Sequence, residues 1–201
     1  MLKVRNLTVQ VRHGAPILRD VSLSIDVGAC IGLTGASGSG KTTLIKAIMG
    51  MHGDNLEIPK GEILLDEDNL LNRSGKERRR LCGKVIGFIP QNPMTAFFPH
   101  MKIGRQMTET LKIHTGFSKK QAEALSADVL RQVNLTDTRR VMNAYPGELS
   151  GGMLQRIAMA LILCTTPEYV LADEPTSALD EANRNLSRCL VSLVRMKRAG
   201  D

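Results

Sequence analysis

A glycine-rich segment, GASGSGKT at residues 35–42, contains the residue types that bind phosphate. Its glycines permit backbone angles at which successive N–H groups point inward and hold an anion. A helix predicted directly after it adds unpaired N–H groups and the positive end of its dipole. Lys41 supplies a charge for the β- and γ-phosphates, and the Thr42 hydroxyl is a ligand for Mg²⁺. The pattern GxxxxGK[ST] therefore predicts an ATP-type nucleotide site that comprises Gly35, Ala36, Ser37, Gly38, Ser39, Gly40, Lys41, Thr42 and Thr43.

Two carboxylates, Asp173 and Glu174, follow an apolar run at Tyr169–Ala172 that is typical of a buried strand. At the end of such a strand Asp173 is predicted to hold Mg²⁺, directly or through water. Glu174, the next residue, is predicted to point to the other side, where it could polarise an attacking water as a general base. The alternative is a pair of ordinary surface carboxylates, and the phosphate loop upstream favours the catalytic interpretation.

The elements around the loop are predicted from the spacing of apolar residues. Alternation over Leu2–Val11 and again over Val21–Ile25 predicts a hairpin of two half-buried strands. The run Ala29–Thr34 is apolar on both sides, which predicts a fully buried strand that leads into the phosphate loop. Thr42–Met49 is predicted to be a helix that ends near Gly50.

Buried-type strands alternate with helices over the rest of the chain. A short strand is predicted at Glu62–Leu65, and helical spacing dominates residues 101–133, with a break at Gly116 and a cap at Ser118. The remaining predictions are strands at Val85–Pro90 and Tyr169–Ala172 and helices at Leu149–Leu163 and Glu181–Lys197. The order predicts an α/β domain with a mostly parallel sheet.

Composition excludes several classes of protein. The 201 residues fit one domain, and 42% apolar with 23% charged residues is typical of a globular chain. A net charge of +7 allows an anionic partner, but without Trp and with only two Tyr a base-stacking nucleic-acid binder is not expected. The N-terminus lacks a signal-peptide core, and the longest strongly apolar stretch, Ile157–Cys164, is too short to span a membrane. The four cysteines form no metal motif, and Cys30 and Cys164 are predicted to be buried in the protein core. This cysteine usage predicts a reducing compartment.

Five motifs occur in order, and together they resemble the ATP-binding subunit of ABC transporters. They are the phosphate loop, Gln91 after Phe88-Ile89-Pro90, the segment LSGGM at 149–153, VLADEP at 170–175 and SALD at 177–180. The resemblance implies a single nucleotide-binding domain over residues 1–201. Its parts are a phosphate-loop core with a mostly parallel sheet, an N-terminal antiparallel β subdomain, and an inserted helical subdomain at about 92–145.

The resemblance also implies roles for single residues. Gln91 would contact Mg²⁺ or the attacking water and sense the membrane partner. Ser150, Gly151 and Gly152 would bind the γ-phosphate of an ATP held by a second subunit, a role that suits a helix N-terminus. Asp180 would lie across the dimer interface, so that two ATP molecules stand between two subunits.

The wording of the motifs resembles importers of dipeptides, oligopeptides and nickel, and SGGMLQR leans towards nickel or metal chelates. The implied partners are permease subunits in the membrane, a second ATP-binding subunit (identical or paralogous) and an extracytoplasmic substrate-binding protein. No nucleic acid is expected, since members of the superfamily that act on DNA or ribosomes have long insertions or two cassettes. The implied location is peripheral, on the cytoplasmic face of the membrane. His13 either stacks on adenine or is a solvated turn residue.

The family's switch histidine would fall beyond Asp201, and none of His13, His52, His100 and His114 has the right position. The expectation is therefore a C-terminally truncated domain, either a fragment or a natural truncation. Two functions stay open at this point: an ATPase that energises import, and a nucleotide-binding half with impaired hydrolysis that acts structurally or in regulation. Intact Glu174 favours the first.

Overall fold

The computed structural model describes residues 1–26 and 28–173, which fall into two compact units. The first unit comprises Met1–Cys82, and the second begins at Gly83. The predicted helix at Glu181–Lys197 lies outside the described residues.

An antiparallel sheet forms most of the first unit. Its strands are β1 (Leu2–Val11), β2 (Pro16–Ile25), β3 (Leu56–Leu65) and β4 (Asp68–Asn69), in the order β2-β1-β3-β4. The predicted hairpin is confirmed, because β1 and β2 pair antiparallel, with Leu2 opposite Ile25. The alternation buries one face of the sheet and begins its core at Leu2, Val4, Leu7 and Val9. β3 extends further towards the N-terminus than the strand predicted at Glu62–Leu65.

Two helices complete the first unit. α1 (Lys41–Met49) begins at the phosphate loop and ends at Gly50, as predicted, with Gly50 in the left-handed conformation that closes helices. α2 (Gly75–Leu81) begins at a capping box in which the Ser74 and Glu77 side chains each accept a backbone N–H from the other residue. The Ser74 hydroxyl also donates to Oε2 of Glu77 at 2.6 Å. This hydrogen bond, followed by the one from the Ser74 backbone N–H, holds the pKa of Glu77 below its ordinary value.

The predicted buried strand at Ala29–Thr34 is wrong. Residues 29–34 have no regular secondary structure and are exposed, with Ile31 at 46% and Leu33 at 45% of full exposure. An apolar run indicates burial, but a central parallel strand also requires neighbours that complete its hydrogen-bond ladder. Within residues 1–26 and 28–173 no strand pairs with this segment. Cys30 is consequently exposed, contrary to the prediction.

The second unit contains a parallel strand pair and a group of helices. β5 (Ile86–Ile89) pairs with β6 (Tyr169–Ala172), which confirms both predicted buried strands. The helices are α3 (Ile103–Thr115), α4 (Lys119–Gln132), α5 (Thr138–Asn143) and α6 (Gly151–Thr165). Ile103, Met107 and Leu111, one helical turn apart, are fully buried against α4 and α6.

Local signals fix the helix boundaries in this unit. Gly116 adopts a left-handed conformation after α3, and Ser118 begins α4 with a capping box to Gln121, as predicted. Cys164 is buried on α6, also as predicted. The α/β class with an N-terminal antiparallel sheet is thus confirmed, and the described residues show its parallel part as the β5–β6 pair. No helix within the described part of the chain has the length and apolarity to cross a bilayer.

Candidate functional site

The phosphate loop lies in the first unit, directly before α1. Gly38 and Gly40 have φ angles of 80° and 90°, which side chains rarely permit, and Gly40 is the N-terminal cap of α1. A Cβ on Gly40 would lie 2.6 Å from Cδ2 of Leu18, so the absence of a side chain lets the start of α1 approach β2 closely. The glycines of the motif thus both shape the loop and position the helix.

Lys41 holds the loop together from its C-terminal end. Its Nζ donates to the carbonyl oxygens of Gly35 and Ala36, each at 2.8 Å, and to Oγ of Ser39 at 3.5 Å. An ammonium group has three donors, so all three face the loop. A phosphate group at this position would compete for the same donors and would meet the charge of Lys41 at the opening of the loop.

These residues fit a polyphosphate. Residues 35–39 are exposed, and the loop opens at the positive end of α1, whose first turn contains no acidic residue. Thr42 and Thr43 are half-buried in that first turn. A hydroxyl is a hard oxygen ligand, but with no carboxylate in that turn a cation would bind here together with the phosphates it neutralises.

Gln91 and Asp173 lie at one edge of the parallel pair in the second unit. Gln91 follows β5 and is exposed, and the next residue, Asn92, accepts a hydrogen bond from the Met94 N–H that begins a short 3₁₀ turn. Asp173 directly follows β6, is buried, and donates its N–H to the Ile89 carbonyl at 3.0 Å. Because β5 and β6 are parallel, their carboxyl ends bring these two predicted Mg²⁺ ligands to the same edge.

The predicted second anion site is the start of α6. Ser150 caps the helix by accepting the Met153 N–H at 3.3 Å. A Cβ on Gly151 or Gly152 would meet nothing within 4 Å. Packing within the described residues therefore does not require glycine at either position, which leaves close approach of another molecule as a reason for it.

Three further predicted site residues are Glu174, Asp180 and His13. Glu174 and Asp180 lie outside the described residues, so the general base and the dimer-interface carboxylate stay predictions. His13 is exposed in the β1–β2 turn with a φ of 59°. The described residues contain no cluster of three or more His, Cys, Asp or Glu that could hold a metal alone.

Sequence reasoning missed two polar contacts. Gln106 on α3 is buried and binds the backbone of Phe98 and Met101, which fixes the segment after Gln91. Its position among the apolar residues of α3 was the available signal. Arg78 on α2 donates to the Ala47 carbonyl of α1, and nothing in the run KERRR distinguishes it from its neighbours.

Comparisons with known proteins identify the family of the chain. A family model described as ABC transporter matches residues 18–177. The oligopeptide transport ATP-binding protein OppD of Lactococcus lactis subsp. cremoris (strain SK11) is 42% identical over 80% of this chain and 48% of its own length. The metal-staphylopine import system ATP-binding protein CntD of Staphylococcus aureus (strain Mu50) is 38% identical over 90% of this chain and 66% of its own length. The chain thus spans about half the length of OppD.

Solved structures show the same fold. The ATP-binding cassette MJ0796, in a dimeric post-hydrolysis state bound to ADP and Pi, superposes with a TM-score of 0.85 at 27% identity. The superposition covers 98% of this chain and 84% of the cassette. Because the family match covers the phosphate loop, Gln91, the Ser-Gly-Gly segment and both carboxylates that follow β6, the chain belongs to the ABC transporter family.

Proposed function

We propose that this chain is the ATP-binding and ATP-hydrolysing subunit that energises import of a peptide, nickel or a metal chelate through a membrane permease. The observation that carries the proposal is a pair of glycine-containing helix N-termini, one at the phosphate loop before α1 and one at Ser150-Gly151-Gly152 before α6, whose N–H groups suit an anion. Residues 35–39, Ser150 and Gly151 are exposed, and packing within the described residues does not explain the glycines at 151 and 152. The family match supports a nucleotide as the shared ligand.

In the proposed mechanism the phosphate loop binds the β- and γ-phosphates, and Lys41 transfers donors from the loop carbonyls to phosphate oxygens. Thr42, Gln91 and Asp173 would hold Mg²⁺, which supplies positive charge next to the γ-phosphate when it is bound. Glu174 would accept the proton of the attacking water. Gln91 would orient that water.

A second subunit completes the site in this proposal. The first-turn N–H groups of α6 would bind the γ-phosphate of the ATP held by the partner, and Asp180 would lie across the same interface. The solved cassette MJ0796 is dimeric in the presence of ADP and Pi, which supports a dimer here. The second subunit would be either a second copy of this chain or a paralogue.

The permease would bind the helical subdomain at about 92–145. Phe98 is 71% exposed and Met94 is exposed beside it, in the segment that connects Gln91 to α3. Gln106 fixes the backbone of Phe98, so a helix that packs on this ring would act on a segment that begins at Gln91. This contact would place the chain on the cytoplasmic face of the membrane, as a peripheral subunit.

The cargo class follows from relatives. The names of similar proteins specify oligopeptides, dipeptides and metal-staphylopine, all of which are peptides or metal chelates. An extracytoplasmic substrate-binding protein would deliver such a cargo. None of the comparisons favours the alternative of a subunit with impaired hydrolysis.

Sedimentation velocity tests the nucleotide sandwich directly. The Glu174→Gln variant should bind ATP without hydrolysing it, and so should sediment as a dimer with ATP and as a monomer without nucleotide. Glu174→Gln combined with Lys41→Ala is the matched control and should stay monomeric. A Glu174→Gln chain that binds ATP and remains monomeric at tens of micromolar would contradict the proposal.

A further inference from the structure

The C-terminal end of the phosphate-loop helix α1 contacts α2. The helix ends at Met49, and the N–H groups of Gly50 and Met51 close it on the carbonyls of Ala47 and Lys46. The Ala47 carbonyl oxygen receives a second hydrogen bond, because Nη2 of Arg78 donates to it at 2.8 Å. The α2 side chain thus binds the negative end of the α1 dipole.

The guanidinium of Arg78 also lies directly on Gly50. A Cβ added to Gly50 would be 2.7 Å from Nε and 2.8 Å from Cζ of Arg78, closer than real contacts allow. One turn after Arg78, the Sγ of Cys82 lies 3.7 Å from the Met49 carbonyl oxygen. Arg78 of α2 and Cys82, the C-cap residue of that helix, therefore both contact the end of α1.

Arg78 carries its charge in this half-buried place. Burial lowers the pKa of Arg78 from its ordinary value, but an arginine guanidinium keeps its proton at neutral pH. Burial, followed by the charge of Arg78, lowers the pKa of the neighbouring His52. His52 is therefore mainly neutral at pH 7 and does not add a competing positive charge.

Both ends of α1 are thereby fixed. At its start, Gly40 packs on Leu18 of β2, and at its end Arg78 binds Ala47 and covers Gly50. The helix has nine residues, or about 14 Å, so a tilt at one end moves the other by a comparable distance. Phosphates would bind at the first turn, where small displacements of N–H donors change affinity strongly.

We infer that Arg78 is a positioning residue for nucleotide binding, which holds the C-terminal end of α1 so that its N-terminal turn presents the phosphate loop correctly. The inference rests on the proposed function, since it concerns the same nucleotide site. Arg78 acts through α1 and is not placed in contact with the nucleotide.

The first test removes the contact. Arg78→Met keeps an unbranched side chain of similar length but loses the donor, and Arg79→Met alters an exposed neighbour on the same helix. Loss of a hydrogen bond from a charged group should weaken binding of a fluorescent ATP analogue about fivefold to twentyfold in Arg78→Met. Arg79→Met should bind within about twofold of the original, and Arg78→Lys should recover part of the loss.

The second test displaces Arg78 without changing it. Gly50 and Gly53 both have a φ of 69°, but a Cβ on Gly53 would meet nothing within 4 Å. Gly50→Ala and Gly53→Ala therefore have comparable backbone strain, and only Gly50→Ala pushes the guanidinium away. Gly50→Ala should weaken ATP binding, Gly53→Ala should not, and Gly50→Ala combined with Arg78→Met should be no weaker than the worse single variant.

Hydrogen exchange of the α1 amides in nucleotide-free protein separates the effect of Arg78 on α1 from the binding of nucleotide. Exchange should be faster in Arg78→Met and Gly50→Ala than in Arg79→Met and Gly53→Ala, with circular dichroism unchanged. Equal exchange or equal ATP affinity within these matched pairs would overturn the role of Arg78. An original chain that does not bind the ATP analogue would instead overturn the proposed function.

Discussion

In the proposed nucleotide site, binding is expected to depend most on Lys41. Its ammonium makes three hydrogen bonds to the loop that would bind the phosphates. The motif made this residue predictable, because a lysine at that position of GxxxxGK[ST] has a direct physical task. The structure adds that the same ammonium also bridges Gly35, Ala36 and Ser39.

Replacement of Lys41 by Ala should therefore weaken ATP binding by at least about 30-fold, since charge-assisted bonds to phosphate and the bonds that shape the loop are lost together. Lys46→Ala is the control, because Lys46 is an exposed cation on the same helix. Titration of a fluorescent ATP analogue measures both. Equal affinities of the two variants would refute the role given to Lys41.

Other residues at this scale could not be predicted from the sequence. Arg78 is one of three consecutive arginines, and only the tertiary position of α2 makes it the donor to Ala47. Gln106 was a polar residue in an apolar helix face, and its partners Phe98 and Met101 are known only once the preceding segment is folded. Short-range patterns contain motifs and caps but not contacts between elements.

Elements differ in how far their sequence determines them. Helices α3, α4 and α6 were predictable because their caps and their core-facing residues lie within the same segment, as with Gly116 and Ser118. The segment 29–34 was not, because a buried parallel strand depends on partners elsewhere in the chain. Its apolar residues indicated burial without supplying a ladder.

The exposure of this segment can be tested with thiol labelling at pH 8. Cys30 is exposed, whereas burial raises the pKa of Cys164 to about 12, so the Cys164 thiol is both protonated and inaccessible. Cys30→Ser should remove one rapidly labelled thiol, and Cys164→Ala should remove none. If Cys30→Ser leaves the rapid phase intact, residues 29–34 are protected as a buried strand would be.

Cys164 also gives a pH dependence with a definite sign. Its folded pKa of about 12 exceeds the ordinary 9.0, so unfolding releases a proton once the pH passes that lower value. The stabilisation is complete below pH 9 and is lost as the pH rises towards 12. Urea unfolding of Cys164→Ala should therefore show a shallower loss of stability over this interval than the original chain.

At the start of α6, packing does not require Gly151 and Gly152, but the proposed binding of the partner's ATP does. Gly151→Ala and Gly152→Ala place a methyl group in open space, so the melting temperature should stay the same or rise slightly. ATP-dependent dimerisation in the Glu174→Gln background should nevertheless be lost. Gly75→Ala, at the start of α2, is the control and should dimerise normally. If each of the three variants dimerised normally with ATP, the start of α6 would not be part of the dimer interface.

In the proposed dimer of the whole molecule, the phosphate loop of each chain faces the Ser-Gly-Gly helix start of the other chain. The two chains thereby share two nucleotide sites. Each chain would then depend on a partner for catalysis, so the ATPase rate per chain should rise with protein concentration. The order of motifs predicted this arrangement through the family resemblance, and the dimeric state of the similar cassette MJ0796 is consistent with it. Local physics alone predicted only two separate anion sites.

Phosphate release from Mg-ATP, measured against protein concentration, tests whether two chains form the catalytic sites together. A dimeric ATPase predicts a rate that rises faster than linearly with protein concentration. The rate should be lost in Glu174→Gln, while ATP binding is retained. A rate proportional to protein concentration across the dimerisation range, a rate that survives in Glu174→Gln, or no release from a folded chain that binds ATP would contradict it.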